Sequence, residues 1–189
     1  MEVSVYFAAM LALLCAVGSG RRMLLALLLC AGHECGHIIA LRRFRVLPSR
    51  IVLTAAGMRM ERPPGLNLSF PREILCALAG PAVSFLLGGA CWCAASVCPG
   101  TGGVWLREAA WLSLGLGGFN LLPVRQLDGG RALYFALCRR HAERAAHTAV
   151  QVTSLGCLFF CIFLAALQWL RGGPVWNLLI VTLYLCVSC

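Results

Sequence analysis

The chain has 189 residues, of which 60% are hydrophobic and 12% are charged. An ordinary soluble domain carries about 45–50% apolar and about 25% charged residues, so this composition excludes a water-soluble globule. All 16 basic residues are arginines, against seven acidic residues, and they lie between apolar runs, which indicates membrane topology signals and argues against nucleic-acid binding.

Apolar runs separated by helix breakers predict six transmembrane helices in an all-α polytopic membrane protein. A span needs about 20 apolar residues, so the chain holds six spans and short loops as one domain, 1–189, without a soluble regulatory domain. The first run lacks the positive n-region of a cleaved signal peptide, so we expect it to be retained. The predicted spans are 3–19, 23–41, 73–97, 104–122, 145–170 and 174–189.

The placement of the arginines orients this predicted bundle. Segments 42–72 and 125–144 hold seven and five arginines, whereas the other four lie on the opposite side. Positively charged loops tend to stay in the cytoplasm. We therefore expect both long loops and both termini of this integral multi-pass protein to be cytoplasmic.

The twelve cysteines do not predict a disulfide framework. Most of them lie inside apolar stretches, where cysteine acts as a small hydrophobic residue. Cys91, Cys93 and Cys98 lie close together near one helix end, and a cross-link among them stays open as an alternative.

A short β segment is predicted between the second and third spans. Residues 46–60 are too short, and too broken by Pro48 and Gly57, to cross a membrane. The β-branched, apolar run Ile51, Val52 and Leu53 predicts a strand or hairpin at the membrane surface, with an interfacial loop as the alternative. A strand there would offer a free edge that holds an unwound substrate by strand addition.

The second predicted span contains the sequence HECGH at 33–37. On a helix, His33 and His37 lie about 40° apart, so two imidazoles one turn apart can hold one metal ion. H-E-x-x-H is the pattern in which both histidines bind zinc and the glutamate, here Glu34, is the general base. Ionisable groups deep in an apolar helix are costly, which favours a functional role.

Asp128 is predicted to be the third ligand because it is the only aspartate in the chain. Zinc hydrolases use three protein ligands and keep a fourth position for water. The second and fourth spans run in the same direction, which brings His37 and Asp128 to the same cytoplasmic side. A cap or turn before Gly129 is the alternative role for this aspartate.

The motifs HECGH and NLLPVRQLDGG, at 33–37 and 120–130, resemble the signatures H-E-x-x-H and N-x-x-P-x-x-x-L-D-G of the site-2 protease family of intramembrane zinc metalloproteases. The segment starting Ala79-Gly80-Pro81 resembles the family's A-G-P segment. The layout is most similar to the stage IV sporulation branch, which processes a membrane-associated pro-sigma factor. The chain departs from the family at Ser84, where asparagine is frequent, and at 55–57, where a paired glycine is usual.

The resemblance implies a zinc metalloprotease with one Zn²⁺ per chain and with Glu34 as the catalytic base. It implies that Asn120 and Pro123 bind substrate, and the run 51–53 is a further candidate contact through the strand addition described above. The zinc ligands that it implies are His33, His37 and Asp128.

The same resemblance implies a membrane-associated or transmembrane protein substrate that is cut near the cytoplasmic boundary. The sporulation branch further implies a pro-sigma factor and a bacterial cell membrane, in particular the membrane that surrounds the forespore. The expected partners are this substrate, the lipid bilayer and regulatory membrane proteins, with no nucleic acid.

Two other functions stay open. A catalytically silent membrane scaffold would keep the fold and bind a partner, but structural metal binding has no need of a base such as Glu34. Another membrane metalloenzyme, such as a protease of prenylated tails, fits Asp128 and its LDGG context poorly.

Overall fold

The structure is a computed structural model that describes residues 2–3, 20–46, 50–54, 57–61, 68–171 and 182. Five helices and three short strands lie in this part of the chain. The helices are α1 (Gly20–Arg43), α2 (Phe70–Val97), α3 (Thr101–Asn120), α4 (Asp128–Cys138) and α5 (Glu143–Leu170). The strands are β1 (Glu2–Val3), β2 (Arg50–Thr54) and β3 (Gly57–Glu61).

Three of the described helices, α1, α2 and α5, are long and apolar enough to cross a membrane. They occupy the second, third and fifth predicted spans. Helix α3 occupies the fourth, but Arg107 and Glu108 within its 20 residues lower its hydropathy. The first and last predicted spans lie almost wholly outside the described residues, so the count of six spans stays a prediction.

Helix α1 buries one narrow stripe of its surface. The remaining face is apolar and open, as Leu28 and Ile39 show at 62% and 64% exposure, which suits contact with lipid. The helix ends where Arg45 adopts a φ of 59° and the Val46 N–H donates to the Leu41 carbonyl oxygen at 3.0 Å. The buried residues of the stripe are Leu29, His33, Gly36, His37 and Leu41.

Strands β2 and β3 pair antiparallel in the segment for which the sequence predicts a strand or hairpin, with Val52 opposite Arg59. Strand β1 pairs with β2 in parallel and brings Glu2 opposite Val52, so the strand order is β1-β2-β3. The free edge expected along β2 is therefore wrong at Val52 and Leu53, because both residues are paired on two sides. A location of this sheet at the membrane surface stays a prediction.

The chain divides into two compact units. The first unit comprises 1–68 and 79–118, and the second comprises 69–78 and 119–189. In the first unit, α1 and α2 approach closely at Gly36, where a Cβ would lie 2.6 Å from the Ala79 carbonyl oxygen and 2.9 Å from Val83 Cγ2. The absence of a side chain at Gly36 is what permits this packing.

In the second unit, helix α4 lies within segment 125–144, where the sequence predicted only a long loop, and it packs against α5. Tyr134 Oη donates a hydrogen bond to Glu143 Oε1 at 2.8 Å, and this bond raises the pKa of Tyr134 above its usual range. The core of the unit is formed by Val124 and Leu127, with Phe119, Leu122, Cys157, Leu158 and Cys161 packed against them.

The cysteines in the described part of the chain are free thiols, including Cys91, Cys93 and Cys98. The predicted role of cysteine as a small side chain in apolar helices agrees with Cys76, which is buried in α2.

Candidate metal centre

His33 and His37 lie on the buried stripe of α1, where they are 3% and 9% exposed. Their Nε2 atoms are 3.3 Å apart, and their rings meet edge to face at 75°. Two nitrogens that each lie about 2.0–2.1 Å from a tetrahedral zinc ion are separated by about 3.3–3.4 Å. The separation of the two Nε2 atoms is therefore right for two ligands of one zinc ion.

Gly80 of α2 makes room for the metal-binding edges of both imidazoles. A Cβ at this position would lie 2.7 Å from His33 Nε2 and would collide with His37 Nε2. Real Cβ atoms essentially never come so close, so any other residue here would displace the nitrogens. At position 80, helix α2 therefore places no side chain against the two nitrogen atoms.

Glu34 follows His33 on α1 and is half-buried, whereas the next residue, Cys35, is exposed on the opposite side. The carboxylate of Glu34 is not a member of the group of metal-binding side chains. Because Glu34 lies next to the candidate ligand His33 and is not itself in the group of candidate ligands, its carboxylate is suited to proton transfer.

Asp128 is the first residue of α4 and is 7% exposed. Leu127, and not Asp128, occupies the N-cap position, and Leu127 makes no side-chain cap hydrogen bond. Asp128 therefore lies inside the first turn of the helix and is not its N-cap residue, while the alternative role in a turn before Gly129 stays a prediction.

The two glycines after Asp128 allow the preceding loop to fold back onto the first turn of α4. A Cβ at Gly129 would collide with the Leu121 carbonyl oxygen and lie 2.7 Å from that of Leu122. A Cβ at Gly130 would collide with the Val124 carbonyl oxygen. The LDGG sequence thus has a structural explanation, because the two positions after the aspartate face backbone.

Two neighbouring hydroxyls of α5 hold the same loop. Thr153 Oγ1 donates to the Pro123 carbonyl oxygen at 2.9 Å, and the Arg125 N–H donates to Ser154 Oγ at 3.0 Å. Pro123 lies in the loop between α3 and α4, so its carbonyl has no helical partner and needs such a bond. The loop that leads to Asp128 therefore has a defined path.

The possible ligand atoms of His33, His37 and Asp128 all lie within 4.8 Å of one another. Two imidazoles and one carboxylate are a donor set that zinc takes in hydrolytic enzymes. These three residues form a possible metal-binding site, and within the described ranges no other group of three histidine, cysteine or acidic side chains does so.

The remaining predicted site residues lie in three different elements. Asn120 is the last residue of α3 and is half-buried, Pro123 lies in the loop before α4, and 51–53 lie in β2. Their roles as substrate contacts stay predictions.

The sequence alone predicts no role for Gly80 or Ser84, although both lie in or next to the segment that resembles the family's A-G-P segment. Gly80 and Ser84 are one turn apart on α2, and Ser84 Oγ lies 2.9 Å from His33 Nδ1. The signal was this four-residue spacing of small residues in a helix that also contains Pro81.

Comparison with known sequences supports the same chemistry. Residues 104–164 match the model of peptidase family M50. The Mycobacterium tuberculosis protein Rip3, described provisionally as a zinc metalloprotease, is 34% identical in an alignment of length 169 that covers 82% of this chain and 40% of that protein. The zinc metalloprotease MJ0392 of Methanocaldococcus jannaschii is 31% identical over 113 residues, or 58% of this chain and 32% of that protein.

The chain thus spans about two fifths or less of the length of these relatives. Among solved structures, the site-2 protease from Methanocaldococcus jannaschii superposes with a TM-score of 0.69 at 22% identity, covering 98% of this chain and 87% of that one. At this identity the likeness shows the fold alone.

Proposed function

Since the family match and the relatives support membership of the site-2 protease family, peptidase family M50, we propose that this chain is an intramembrane zinc endopeptidase. The observation that carries the proposal is the grouping of His33, His37 and Asp128, with their ligand atoms within 4.8 Å of one another. Glu34, adjacent to the first ligand and outside the ligand set, adds the base that a hydrolase needs.

The chemistry divides among these side chains. His33, His37 and Asp128 would hold a zinc ion, which would supply the Lewis acidity needed to activate a water molecule and polarise the scissile carbonyl. His33 and His37 present neutral Nε2 lone pairs from adjacent turns of α1, and Asp128 contributes the negative charge. The Glu34 carboxylate accepts a proton from the attacking water and returns it to the leaving amine.

The substrate in this proposal is a membrane-associated or transmembrane protein. Its helical carbonyls are engaged in backbone hydrogen bonds, so it must unwind locally before hydrolysis. Asn120 and Pro123, near the loop that precedes Asp128, are our candidates to contact the unwound segment. Residues 51–53 of β2 are a further candidate contact, without the free strand edge that was first expected there.

The finer proposals rest on the arginines and on the resemblance of the motifs. Twelve of the 16 arginines lie in the two long predicted loops, which supports a cytoplasmic location for these loops, for both termini and for the site of cleavage. A bacterial cell membrane, six spans and a sporulation pro-sigma factor as substrate are the most specific form of the proposal. Regulatory membrane partners belong to it as well.

The experiment that tests the proposed function separates metal binding from proton transfer. Glu34→Gln should keep about one zinc per chain yet lose proteolysis by roughly 10²–10⁴-fold, because it removes a base and leaves the ligands. Zinc is measured by atomic absorption, and cleavage is measured on single-span reporter proteins reconstituted in the same vesicles. Cys35→Ser is the matched control, because this neighbour on α1 is exposed and should keep both zinc and activity.

Asp128→Asn completes the test, because it should release zinc if this aspartate is the third ligand. Cleavage by Glu34→Gln at the wild-type rate would exclude the mechanism. A wild-type protein that binds zinc but cuts no reporter would instead identify a silent scaffold.

A further inference from the structure

His33 makes a second contact on the side of its ring that faces away from His37. Its Nδ1 lies 2.9 Å from Ser84 Oγ, while its Nε2 lies 3.3 Å from His37 Nε2. Ser84 is completely buried in α2, so no water competes for this contact. The two nitrogens of His33 are therefore both engaged, one towards the possible metal position and one towards a serine.

Zinc binding by His33 through Nε2 would require one tautomer of the imidazole, and the Ser84 hydroxyl can accept a hydrogen bond from that tautomer. A neutral histidine that binds a metal through Nε2 carries its proton on Nδ1. The Nδ1–H then donates to Ser84 Oγ, which serves as the acceptor. The opposite tautomer would put the proton on the nitrogen that must offer a lone pair.

Helix α3 holds Ser84 in place within the same unit. Ser113 Oγ donates to the Ser84 carbonyl oxygen at 2.8 Å, and Ser113 is also completely buried. Gly117, one turn further along α3, allows close approach, since a Cβ there would lie 3.1 Å from Ser84 Cβ and 3.3 Å from the Pro81 carbonyl oxygen. The backbone that carries the acceptor is thus fixed by a second helix.

We propose that Ser84 is a positioning residue that accepts a hydrogen bond from His33 Nδ1–H and so fixes the orientation of the His33 ring, with Ser113 holding Ser84 in turn. The inference rests on the proposed function, because it assumes that His33 Nε2 binds zinc. Partners of this kind on metal-binding histidines typically contribute about 10–100-fold to metal affinity.

Another serine of the same helix shows that this contact is not a general property of serines in α2. Ser96 Oγ donates to the Cys93 carbonyl oxygen at 2.6 Å within its own helix, and it is exposed. Ser96 therefore provides the matched control for Ser84.

The test is a zinc titration against a competing chelator, on the full chain purified in detergent and stripped of metal. Ser84→Ala should weaken zinc binding by roughly 10–100-fold, and Ser96→Ala should leave it unchanged. The melting temperature of the metal-free protein is measured in parallel, because a purely structural role would lower it without a selective effect on metal. We expect the metal-free Ser84→Ala protein to melt near the wild-type temperature.

Cobalt provides a spectroscopic readout of ligand orientation. The visible absorption of the Co²⁺-loaded Ser84→Ala protein should differ from that of the wild type, because the His33 ring is no longer held in one orientation. Wild-type zinc affinity and an unchanged cobalt spectrum in Ser84→Ala would overturn the proposal.

If Ser84→Ala does not fold, Ser113→Ala decides the question, since it keeps the acceptor and removes only its support. Zinc binding by this variant should weaken less than tenfold but measurably, and wild-type affinity would overturn the inference. A wild-type protein that binds no zinc would instead overturn the proposed function. The two failures are therefore distinguishable.

Discussion

The two units of this chain use glycine next to a candidate metal ligand for different purposes. In the first unit, Gly80 makes room for the Nε2 atoms of two histidines. In the second unit, Gly129 and Gly130 make room for backbone carbonyls of the loop before Asp128. The space at Gly80 thus accommodates the metal-binding nitrogens, whereas the space at Gly129 and Gly130 accommodates the loop backbone. The same substitution should therefore fail in two different ways.

The largest effect is expected from Gly80→Ala. Alanine favours a helix over glycine by about 1 kcal/mol, so α2 itself should not be weakened. The added Cβ would displace both imidazole nitrogens, and zinc affinity should fall by at least about 100-fold, the upper end of what outer contacts of a metal site contribute. Chelator competition measures the affinity, and circular dichroism measures the retained helix.

Gly89→Ala is the control for this prediction, because Gly89 lies in the same helix and a Cβ there would meet nothing within 4 Å. It should keep wild-type zinc affinity. Wild-type zinc affinity in Gly80→Ala would contradict the conclusion that Gly80 makes room for the Nε2 atoms of the two histidines.

Gly130→Ala should show the opposite pattern, with loss of stability first. The new Cβ would meet the Val124 backbone, which cannot move without disturbing the loop and its bonds to α5. Forced overpacking costs about 1–3 kcal/mol, so the melting temperature of the metal-free protein should fall. Gly156→Ala on α5, where the space is open, should not lower it. An unchanged melting temperature in Gly130→Ala would remove the distinction between the two units.

The smallest effect is expected from Glu108→Gln in the first unit. Glu108 Oε1 lies 2.6 Å from Arg22 Nε, but the two side chains are 26% and 67% exposed. Exposed ion pairs contribute about 0–1 kcal/mol, so stability should change within that range and zinc affinity should not change. A large loss of zinc in this variant would show that the metal centre depends on contacts beyond its immediate surroundings.

The histidine pair could be predicted from the sequence because its geometry is local. Helical periodicity alone brings His33 and His37 to one face, and the structure buries both there. Asp128 could be proposed as the third ligand from the sequence, because it is the only aspartate in the chain and lies in a characteristic motif. Its exact setting could not, because the loop path depends on hydroxyls of α5 about 30 residues away.

Two causes explain where the structure differs from the sequence-based expectations. One is contact between distant segments, and the other is the presence of glycines in the first turn of a helix. The partner of β2 on its second side is β1, which comes from the beginning of the chain. Helix α4 was hidden because Gly129 and Gly130 in its first turn have low helix propensity. The contact of Ser84 with His33 joins residues 51 positions apart, so the spacing of small residues on α2 could mark Ser84 but could not reveal its partner.

The close packing at Gly36 also fixes the rotational phase of α1. Each residue inserted into a helix turns everything beyond it by about 100°. An insertion between Gly36 and His33 would keep one imidazole directed at α2 and turn the other towards lipid. The placement of both histidines on the face towards α2 therefore depends on the number of residues between them as much as on the identity of those residues.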